Sequence, residues 1–482
     1  MIYLAMLSMS TEKRERRINS IMKQTNEITS TNPLGYEPIP QLLRRFAVPS
    51  IIAMVVSSLY NIVDQIFIGH GVGYLGNAAT NVAFQISTIT MAAALLTGIG
   101  GSAKFSLSLG AGEEEEAKSC VGNMFWMGLF FGLLICGITF AFMEPMLYAF
   151  GATDNVLPLA VEYVSITAVG IPFLLLTNIL SNLIRADGSP RYSMVCMIIG
   201  AVINTILDPV FIFAFEMGVG GAALATVISQ IISFCAALAY LFRFRTVKLG
   251  KEFFAVSIKK CIVIASLGLS NSLNQLAITL IQIVLNNSLT HYGAMSIYGA
   301  DIPLSGSGVV MKVNSIVIGV FVGLCQGSLP IYGFNYGAKK YDRVKANYKL
   351  AVKCSFVMST LVFISFQCFP QYIISLFGSG DALYMEFTIR FIRTFLFMII
   401  INGVQLISAN FFSAIGKPLK GVMLTMSRQV LFLIPLMLIL PLFFGLDGIL
   451  YAAPISDSLA FLTSIFFIRR EFKNMDNLGG CK

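Results

Sequence analysis

The chain has 482 residues, of which 56% are hydrophobic and only 12% are charged, and its mean hydropathy is +0.79. A composition this apolar excludes a soluble globular protein and indicates that a lipid bilayer is the solvent. The formal net charge is +9. Because the basic residues stand in short segments between apolar runs, no nucleic-acid-binding surface is predicted.

The first nine residues are apolar, but charged residues (KRERR) follow them instead of a small-residue cleavage site. We therefore expect no cleaved signal peptide, and the start of the protein is either Met1 or Met22.

Twelve apolar runs follow in chain order, each long enough to cross a bilayer as a helix of roughly 20 residues. They lie near 46–68, 82–103, 121–143, 161–180, 193–215, 219–241, 258–285, 304–329, 349–369, 387–409, 421–443 and 447–468. Most of the 33 Lys and Arg residues fall in alternate connecting segments, and the intervening connections contain none. The positive-inside rule therefore predicts twelve spans in the cell (cytoplasmic) membrane, with both termini in the cytoplasm.

Short motifs recur between equivalent spans at a nearly constant offset. SNLIRADGSP at 181–190 aligns with ANFFSAIGKP at 409–418, and GVGGAALATVIS at 218–229 aligns with GLDGILYAAPIS at 445–456. Gly110–Ala111 and Gly337–Ala338 match at the same spacing. Duplicated halves with an even number of spans are parallel, so we expect an all-α integral membrane protein of two pseudo-symmetric six-helix bundles.

The expected organisation follows from the spans and the repeat. It comprises a cytoplasmic N-terminal segment 1–45, a first bundle 46–241, a basic cytoplasmic linker 242–257, a second bundle 258–468 and a cytoplasmic tail 469–482.

Ionisable side chains inside the bilayer are costly, and each is therefore a candidate functional group. Asp64 shares one polar helix face with Ser57, Tyr60 and Asn61 in the first span. In the fifth span, Asp208 lies one turn from Asn204 and precedes a proline, so it either binds a cation or caps backbone groups that the proline frees. Two neighbouring carboxyls in a partly dehydrated cavity are suited to proton uptake and release near neutral pH.

The second half offers bases inside its spans, and we expect no carboxylate there. Lys312 either contributes to a substrate cavity or pairs with Asp301 or snorkels, and Arg428 either does the same or ties helices together through carbonyl groups. The seventh span carries a polar stripe, for which hydrogen bonding between helices is the favoured interpretation over a place in the substrate cavity. The stripe consists of Asn271, Gln275, Gln282 and Asn286.

No nucleotide-binding, zinc-protease or hydrolase motif is found, so ATP is not expected to drive this protein and no cofactor is predicted. Only two histidines, His70 and His291, are present, and the nine cysteines form no CxxC pair. A structural metal site is therefore not expected.

Four segments together resemble the multidrug and toxic compound extrusion (MATE) family over about residues 35–470. They are FAVPSIIAMVVSSLYNIVDQIFIG in the first span, LIRADGSPRYSM after the fourth, NTILDPVFIF in the fifth and QGSLPIYGFNYGAKKYDRV after the eighth. The resemblance implies two bundles arranged as an inverted V and alternating access driven by exchange against H⁺ or Na⁺.

By this resemblance, Asp64 and Asp208 match the family's cation-coupling carboxyls, and Asn204 and Thr226 match their polar companions. Pro49 matches the proline at which the first helix bends. Some branches of the family place the cation site in the second bundle instead, where this chain offers bases. We therefore expect the cation site in the first bundle.

The predicted function is a monomeric secondary antiporter, not an enzyme, that exports cationic or aromatic organic compounds in exchange for H⁺ or Na⁺. A flippase for a lipid-linked saccharide remains the alternative. A membrane receptor or enzyme without transport activity is disfavoured, because the connecting segments are too short for an extramembrane domain.

Overall fold

The computed structural model describes residues 32–247, 250–375 and 382–479. Most of the predicted N-terminal segment, Met22, two linker residues and the last three tail residues lie outside these ranges. Within them the chain is helical without a β-strand, because a backbone in lipid must satisfy its polar groups within each span.

The described residues contain eleven helices that are long and apolar enough to cross a membrane. Two further helices that meet at a bend of 50° form the tenth span, and with this bent pair counted as one span the total is the predicted twelve. The spans are α1 Ile39–Gly71, α2 Tyr74–Gly110, α3 Glu114–Ala141, α4 Leu157–Ala186, α5 Pro190–Pro209 with a π turn Val210–Ala214, α6 Gly218–Ala239, α7 Ile258–Ala294, α8 Asp301–Gly337, α9 Tyr341–Cys368, α10 Ala382–Phe395 and Ile399–Ala414, α11 Pro418–Met426 with a π turn Ser427–Leu433 and Ile434–Phe444, and α12 Leu446–Gly479.

The duplication predicted from the sequence is visible in the backbone. The α4–α5 and α10–α11 connections each pass through a glycine with positive φ, Gly188 at 86° and Gly416 at 79°, and each is followed by a proline in the first turn of the next helix. Both α5 and α11 contain a π turn. Short helices at Met143–Ala149 and Pro370–Ser375 occupy equivalent places after α3 and α9.

The two halves meet through glycines near the end that carries the basic connections, which we call the basic end. A Cβ on Gly110 would lie 2.0 Å from a backbone oxygen of α8, and one on Gly337 would lie 2.2 Å from a backbone oxygen of α2. Similarly, a Cβ on Gly268 of α7 would lie 1.9 Å from a backbone oxygen of α2. Helices in lipid associate through such close backbone packing, so the halves are tightly joined here.

A short helix before α1, Pro33–Tyr36, ties the first half to the second at the same end. The carbonyl oxygen of Leu34 accepts hydrogen bonds from Asn335 Nδ2 at 3.0 Å and Arg343 Nη2 at 3.1 Å. The Gly35 carbonyl accepts one from Lys340 Nζ at 3.0 Å. Because these donors belong to the second half, the contact closes the basic end.

Candidate cation site and interlobe cavity

Four of the predicted site residues come together inside the first half. Asn204 Nδ2 donates to Asp208 Oδ1 at 3.1 Å and lies 3.4 Å from Thr226 Oγ1. The Asp64 carboxyl of α1 interacts directly with that of Asp208. Asp208 and Asn204 are fully buried, with exposures of 0% and 2%. The site therefore joins α1, α5 and α6.

Three buried oxygens at this site lack a hydrogen-bond donor among the described residues: Asp64 Oδ1, Asn204 Oδ1 and Asp208 Oδ2. Buried acceptors in proteins are nearly always satisfied, so three unsatisfied oxygens in one place are unusual. Two carboxylates side by side in a low-dielectric interior also repel each other. A bound cation would remove both costs, and carboxylate, amide and hydroxyl oxygens are ligands suited to a proton or a hard cation.

The alternative role for Asp208, capping backbone freed by Pro209, is not what is observed. Its carboxyl accepts from the Asn204 side chain, and no backbone donor to it is found in the described part of the chain. The helix instead accommodates the proline by a π turn at Val210–Ala214.

A tyrosine that sequence reasoning missed completes the site. Tyr163 of α4 lies beside Thr226 and close to Asp64 and Asp208, where Tyr60 of α1 also lies. Tyr163 stands beside Glu162, Ser165 and Thr167 near the start of its span, so nothing in the sequence singled it out from these polar neighbours. Asn61, in contrast, is exposed and donates to the Ser57 carbonyl of its own helix at 2.7 Å.

A polar cavity of about 100 Å³ extends from Tyr60 toward the basic end, inside the first half. Gly200 of α5 and Gln230 of α6 line it together with serine and asparagine side chains. Gln230 Oε1 is buried without a donor among the described residues. The cavity is large enough for water but not for a drug-sized molecule.

The second half contradicts the expectation that its spans hold no carboxylate. Asp457 lies within α12 with 6% exposure, and its Oδ1 accepts a hydrogen bond from Arg428 Nε at 2.7 Å. The expectation is wrong because Asp457 itself lies within the predicted span 447–468. At the offset of the repeat, Arg428 and Asp457 correspond to Gly200 and Gln230, so an ion pair stands where the first half has its cavity.

The remaining candidates lie apart from the cation site. In the seventh span, Gln282 Nε2 donates to Asn286 within the same helix at 2.9 Å, and Gln275 is half-buried on that helix. Interhelical hydrogen bonds of this helix include those of Asn274, which accepts from Gln429 at 3.1 Å, and of Ser270, which lies 2.9 Å from the hydroxyl of Thr425. Pro49 is buried within α1, which continues through it.

Lys312 of α8 is exposed and lines a second, larger cavity of about 560 Å³ between α1, α2 and α8. Its predicted partner Asp301 forms no ion pair with it in the described ranges. This cavity, which we call the interlobe cavity, is lined by residues of both halves toward the end opposite the basic end.

The MatE family model matches residues 49–210 and 270–439, which together make up more than half of the chain. The chain belongs to the MatE family. It is accordingly a multi-pass membrane transporter rather than an enzyme. Because the two matched stretches begin near the start of each half, the match also respects the duplication.

Curated relatives and solved structures agree with this assignment. The chain is 26% identical over 438 residues to "Multidrug export protein MepA" of Staphylococcus aureus (strain N315), covering 89% of this chain and 94% of the relative. It is 25% identical over 431 residues to the protein of that name from Staphylococcus saprophyticus, with 88% and 92% covered. A structure described as the outward-facing conformation of a multidrug resistance MATE family transporter shares the fold, with a TM-score of 0.85, 22% identity and coverage of 94% and 98%.

Proposed function

We propose that this transporter exports organic cations and other aromatic drugs by antiport against H⁺ or Na⁺, which binds between Asp64 and Asp208. The observation that carries the proposal is the convergence of three buried oxygens without donors at these carboxyls. The names of the curated relatives support drug export. The flippase alternative requires a strongly cationic cavity, whereas Asp457 neutralises Arg428 and leaves Lys312 as the lysine of the interlobe cavity.

The arrangement of the halves supports a state open to the outside. The halves pack closely at the basic end and enclose a cavity of about 560 Å³ toward the other, and the positive-inside rule places the basic end in the cytoplasm. A cation arriving from outside neutralises the carboxyl pair. Charge repulsion between the two carboxylates then no longer pushes α1 away from α5. Pro49, which lacks a backbone donor, gives α1 a place to bend in response.

The driving force is sufficient for export. A membrane potential of 100 mV contributes about 2.3 kcal/mol per net elementary charge that crosses, which corresponds to roughly fortyfold accumulation when one cation enters for each uncharged drug exported. A monovalent drug cation gains the same only when two coupling cations enter, because a one-for-one exchange moves no net charge. Binding the cation outside and releasing it inside therefore supports substantial export. This coupling requires that the cation and the drug bind alternately and not at the same time.

The test is ethidium transport by the purified protein in proteoliposomes, with proton and sodium gradients imposed separately. We expect only one gradient to drive transport and the addition of ethidium to accelerate the collapse of that gradient alone. Asp64→Asn should abolish the coupling. Full gradient-driven transport by the Asp64→Asn variant would sink the assignment of the cation site.

A further inference from the structure

A further cavity, also of about 560 Å³, lies at the basic end beside the segment that links the two halves. It shares no lining residue with the interlobe cavity. We call it the linker pocket. None of the described residues that line it is charged, and most are large and apolar. They include Phe125 of α3, Leu238 and Leu241 at the end of α6, and Phe242, Phe253 and Phe254 of the linker.

The later part of the linker is fixed against α3. Trp126 Nε1 donates to the Phe253 carbonyl oxygen at 3.2 Å, and Asn123 Oδ1 accepts from the backbone N–H of Ser257 at 2.8 Å. A Cβ on Gly122 would lie 2.2 Å from the same Phe253 oxygen, so the linker backbone lies directly on the helix. The linker pocket is therefore a formed recess between α3, α6 and the seated linker.

The linker pocket lies at the boundary between the bilayer and water. Phe125 stands near the start of the predicted third span, and Leu241 is the last residue of the predicted sixth span. Trp126 is the only tryptophan of the chain, and its ring centroid lies 6.4 Å from that of Phe253 and 6.3 Å from that of Phe254. Tryptophan favours this depth, where its ring meets lipid and its N–H meets a polar group. A molecule in the linker pocket is therefore in contact with both phases.

Two phenylalanine side chains of the linker pocket face outward. Phe242 is 90% exposed and Phe254 is 71% exposed. Apolar rings so exposed at one place indicate a surface that another apolar group covers. Because the pocket opens at the edge of the bilayer, an acyl chain of a lipid is the group available to lie between these rings.

The linker also supplies positive charge beside the recess. Residues 242–260 include six Lys and Arg residues and one acidic residue. Arg243, which directly follows Phe242, is exposed and forms no ion pair within the described part of the chain. Basic clusters next to a membrane span attract anionic lipid headgroups, and a guanidinium group binds a phosphate through two parallel hydrogen bonds. An apolar recess beside a free arginine thus matches both parts of an anionic phospholipid.

We infer that the linker pocket is a binding site for an anionic phospholipid, whose acyl chain lies among the phenylalanine rings and whose phosphate pairs with Arg243. The bound lipid fills the space between the end of α6 and the linker that is seated on α3. The site is separate from the proposed cation site and goes beyond the proposed function, since it concerns the connection between the halves and not the transported compounds.

Trp126 makes the test direct, because it is the sole tryptophan and lies against the linker pocket. The purified protein is placed in phosphatidylcholine nanodiscs that contain increasing fractions of phosphatidylglycerol or phosphatidylcholine brominated on the acyl chain, and quenching of its fluorescence is measured. We expect brominated phosphatidylglycerol to quench at a mole fraction about fivefold lower than brominated phosphatidylcholine, the effect of one basic residue on an anionic headgroup. Phe242→Ala should weaken quenching by both lipids, because it removes apolar contact.

Arg243→Gln should abolish the preference for phosphatidylglycerol, whereas Arg243→Lys keeps the charge and should retain it. The matched control is Arg469→Gln, which changes an exposed arginine of α12 in the second half and should behave as wild type. Emission in unbrominated lipid shows whether the linker is still seated, because Trp126 donates to it. If Arg243→Gln shifts that emission, high salt replaces the substitution, and screening should then remove the wild-type preference.

Equal quenching of the wild-type protein by the two lipids would overturn the inference, because the pocket would then hold ordinary bilayer lipid. The same conclusion follows if Arg243→Gln and Arg469→Gln reduce the preference equally, since the charge of the whole basic end would then be responsible, or if the preference survives high salt. Relief of the quenching by tetraphenylphosphonium, and not by unbrominated phosphatidylglycerol, would assign the pocket to an organic cation and also overturn the inference.

Discussion

The two halves have the same arrangement of helices but differ in how their buried charges are neutralised. Away from the basic end, the first half places the carboxyls of Asp64 and Asp208 together, and three of the oxygens there lack donors among the described residues. Away from the same end, the second half buries Asp457 and satisfies its carboxylate with Arg428. Because Arg428 already neutralises Asp457, this carboxylate does not require a transported cation. Duplication therefore conserves the helices and their crossings, while a few side chains decide which half can respond to a cation.

The connections at the basic end of the two halves show the same divergence. In the first half, the buried carboxylate of Asp187 accepts hydrogen bonds from Tyr240 at 2.7 Å and from the backbone of Arg245 and Thr246. In the second half the connection is basic, and Lys417 and Lys420 bind the buried Glu471 of α12. The first loop thus contributes a carboxylate to the contact that holds it, whereas the second loop contributes lysines.

The largest expected effect comes from removing the charges of one half at a time. Asp208→Asn should lower cation-driven drug efflux by about 100-fold or more, because the remaining carboxyl has lost the partner with which it shares the cation. The double variant Arg428→Met with Asp457→Leu should retain efflux within about threefold. Both are measured as initial rates in proteoliposomes; similar losses in the two variants would refute the division between the halves.

Breaking the ion pair should affect stability more than transport. Arg428→Met alone leaves Asp457 buried and uncompensated, which costs about 3–5 kcal/mol. The double variant removes both charges and should unfold close to or above the wild-type midpoint. Thermal unfolding in detergent measures this difference, and equal midpoints for the single and double variants would show that Asp457 finds another partner.

The helix crossings between the halves should lose similar stability when their glycines are substituted, unlike the charged residues, whose substitutions should have different effects in the two halves. A Cβ on Gly100 would lie 2.0 Å from the Ile264 carbonyl oxygen, and one on the equivalent Gly327 would lie 2.5 Å from Ala47. Each substitution by alanine should cost about 1–3 kcal/mol by overpacking. Gly137→Ala is the control, since a Cβ there meets nothing within 4 Å. The variants are compared by thermal unfolding; a cost at only one crossing would mean that the interface is not symmetric.

The smallest effect is expected in the first-half connection. Thr246 donates its hydroxyl to Asp187, and Thr246→Val should cost about 0.5–1.5 kcal/mol, the net value of one hydrogen bond. Thr246→Ser keeps the donor and should restore the unfolding midpoint. If both variants behave as wild type, the remaining three donors suffice to hold the connection.

Most of the fold was predictable because its signals are local and repeated. Apolar length fixed the spans, the distribution of Lys and Arg fixed their alternation, and the motifs around Gly188 and Gly416 revealed the duplication before the backbone confirmed it. Helix ends were less predictable, since many helices continue beyond the apolar run. The π turn of α5 follows Pro209, which the sequence shows, whereas the break in α10 and the π turn of α11 leave no clear trace in composition, because they depend on packing between neighbouring helices.

The candidate site was predictable in part for the same reason. Asp64 and Asp208 stand out because a carboxyl inside an apolar run is costly and is therefore rare unless it has a function. The roles of Tyr163 and of the Arg428–Asp457 pair are not visible in the sequence, because they depend on neighbours 29 or more positions away. The hydrogen bond from Arg428 to Asp457 is an example. The expectation of a purely basic second half is wrong already in the sequence, because Asp457 lies within the predicted span 447–468. Only its neutralisation by Arg428 required the structure.

The sequence by itself determined that this protein lies in a membrane, that it has two related halves and that the first half carries an unusual pair of carboxyls. These properties follow from the cost of placing polar groups in lipid, which acts on each segment separately. Only the tertiary structure decided which charges are already neutralised and which remain free. Whether a charge is neutralised depends on which side chains of other helices lie close to it. Arg428 reaches Asp457, whereas Asp64 and Asp208 lie beside each other and Lys312 faces an open cavity.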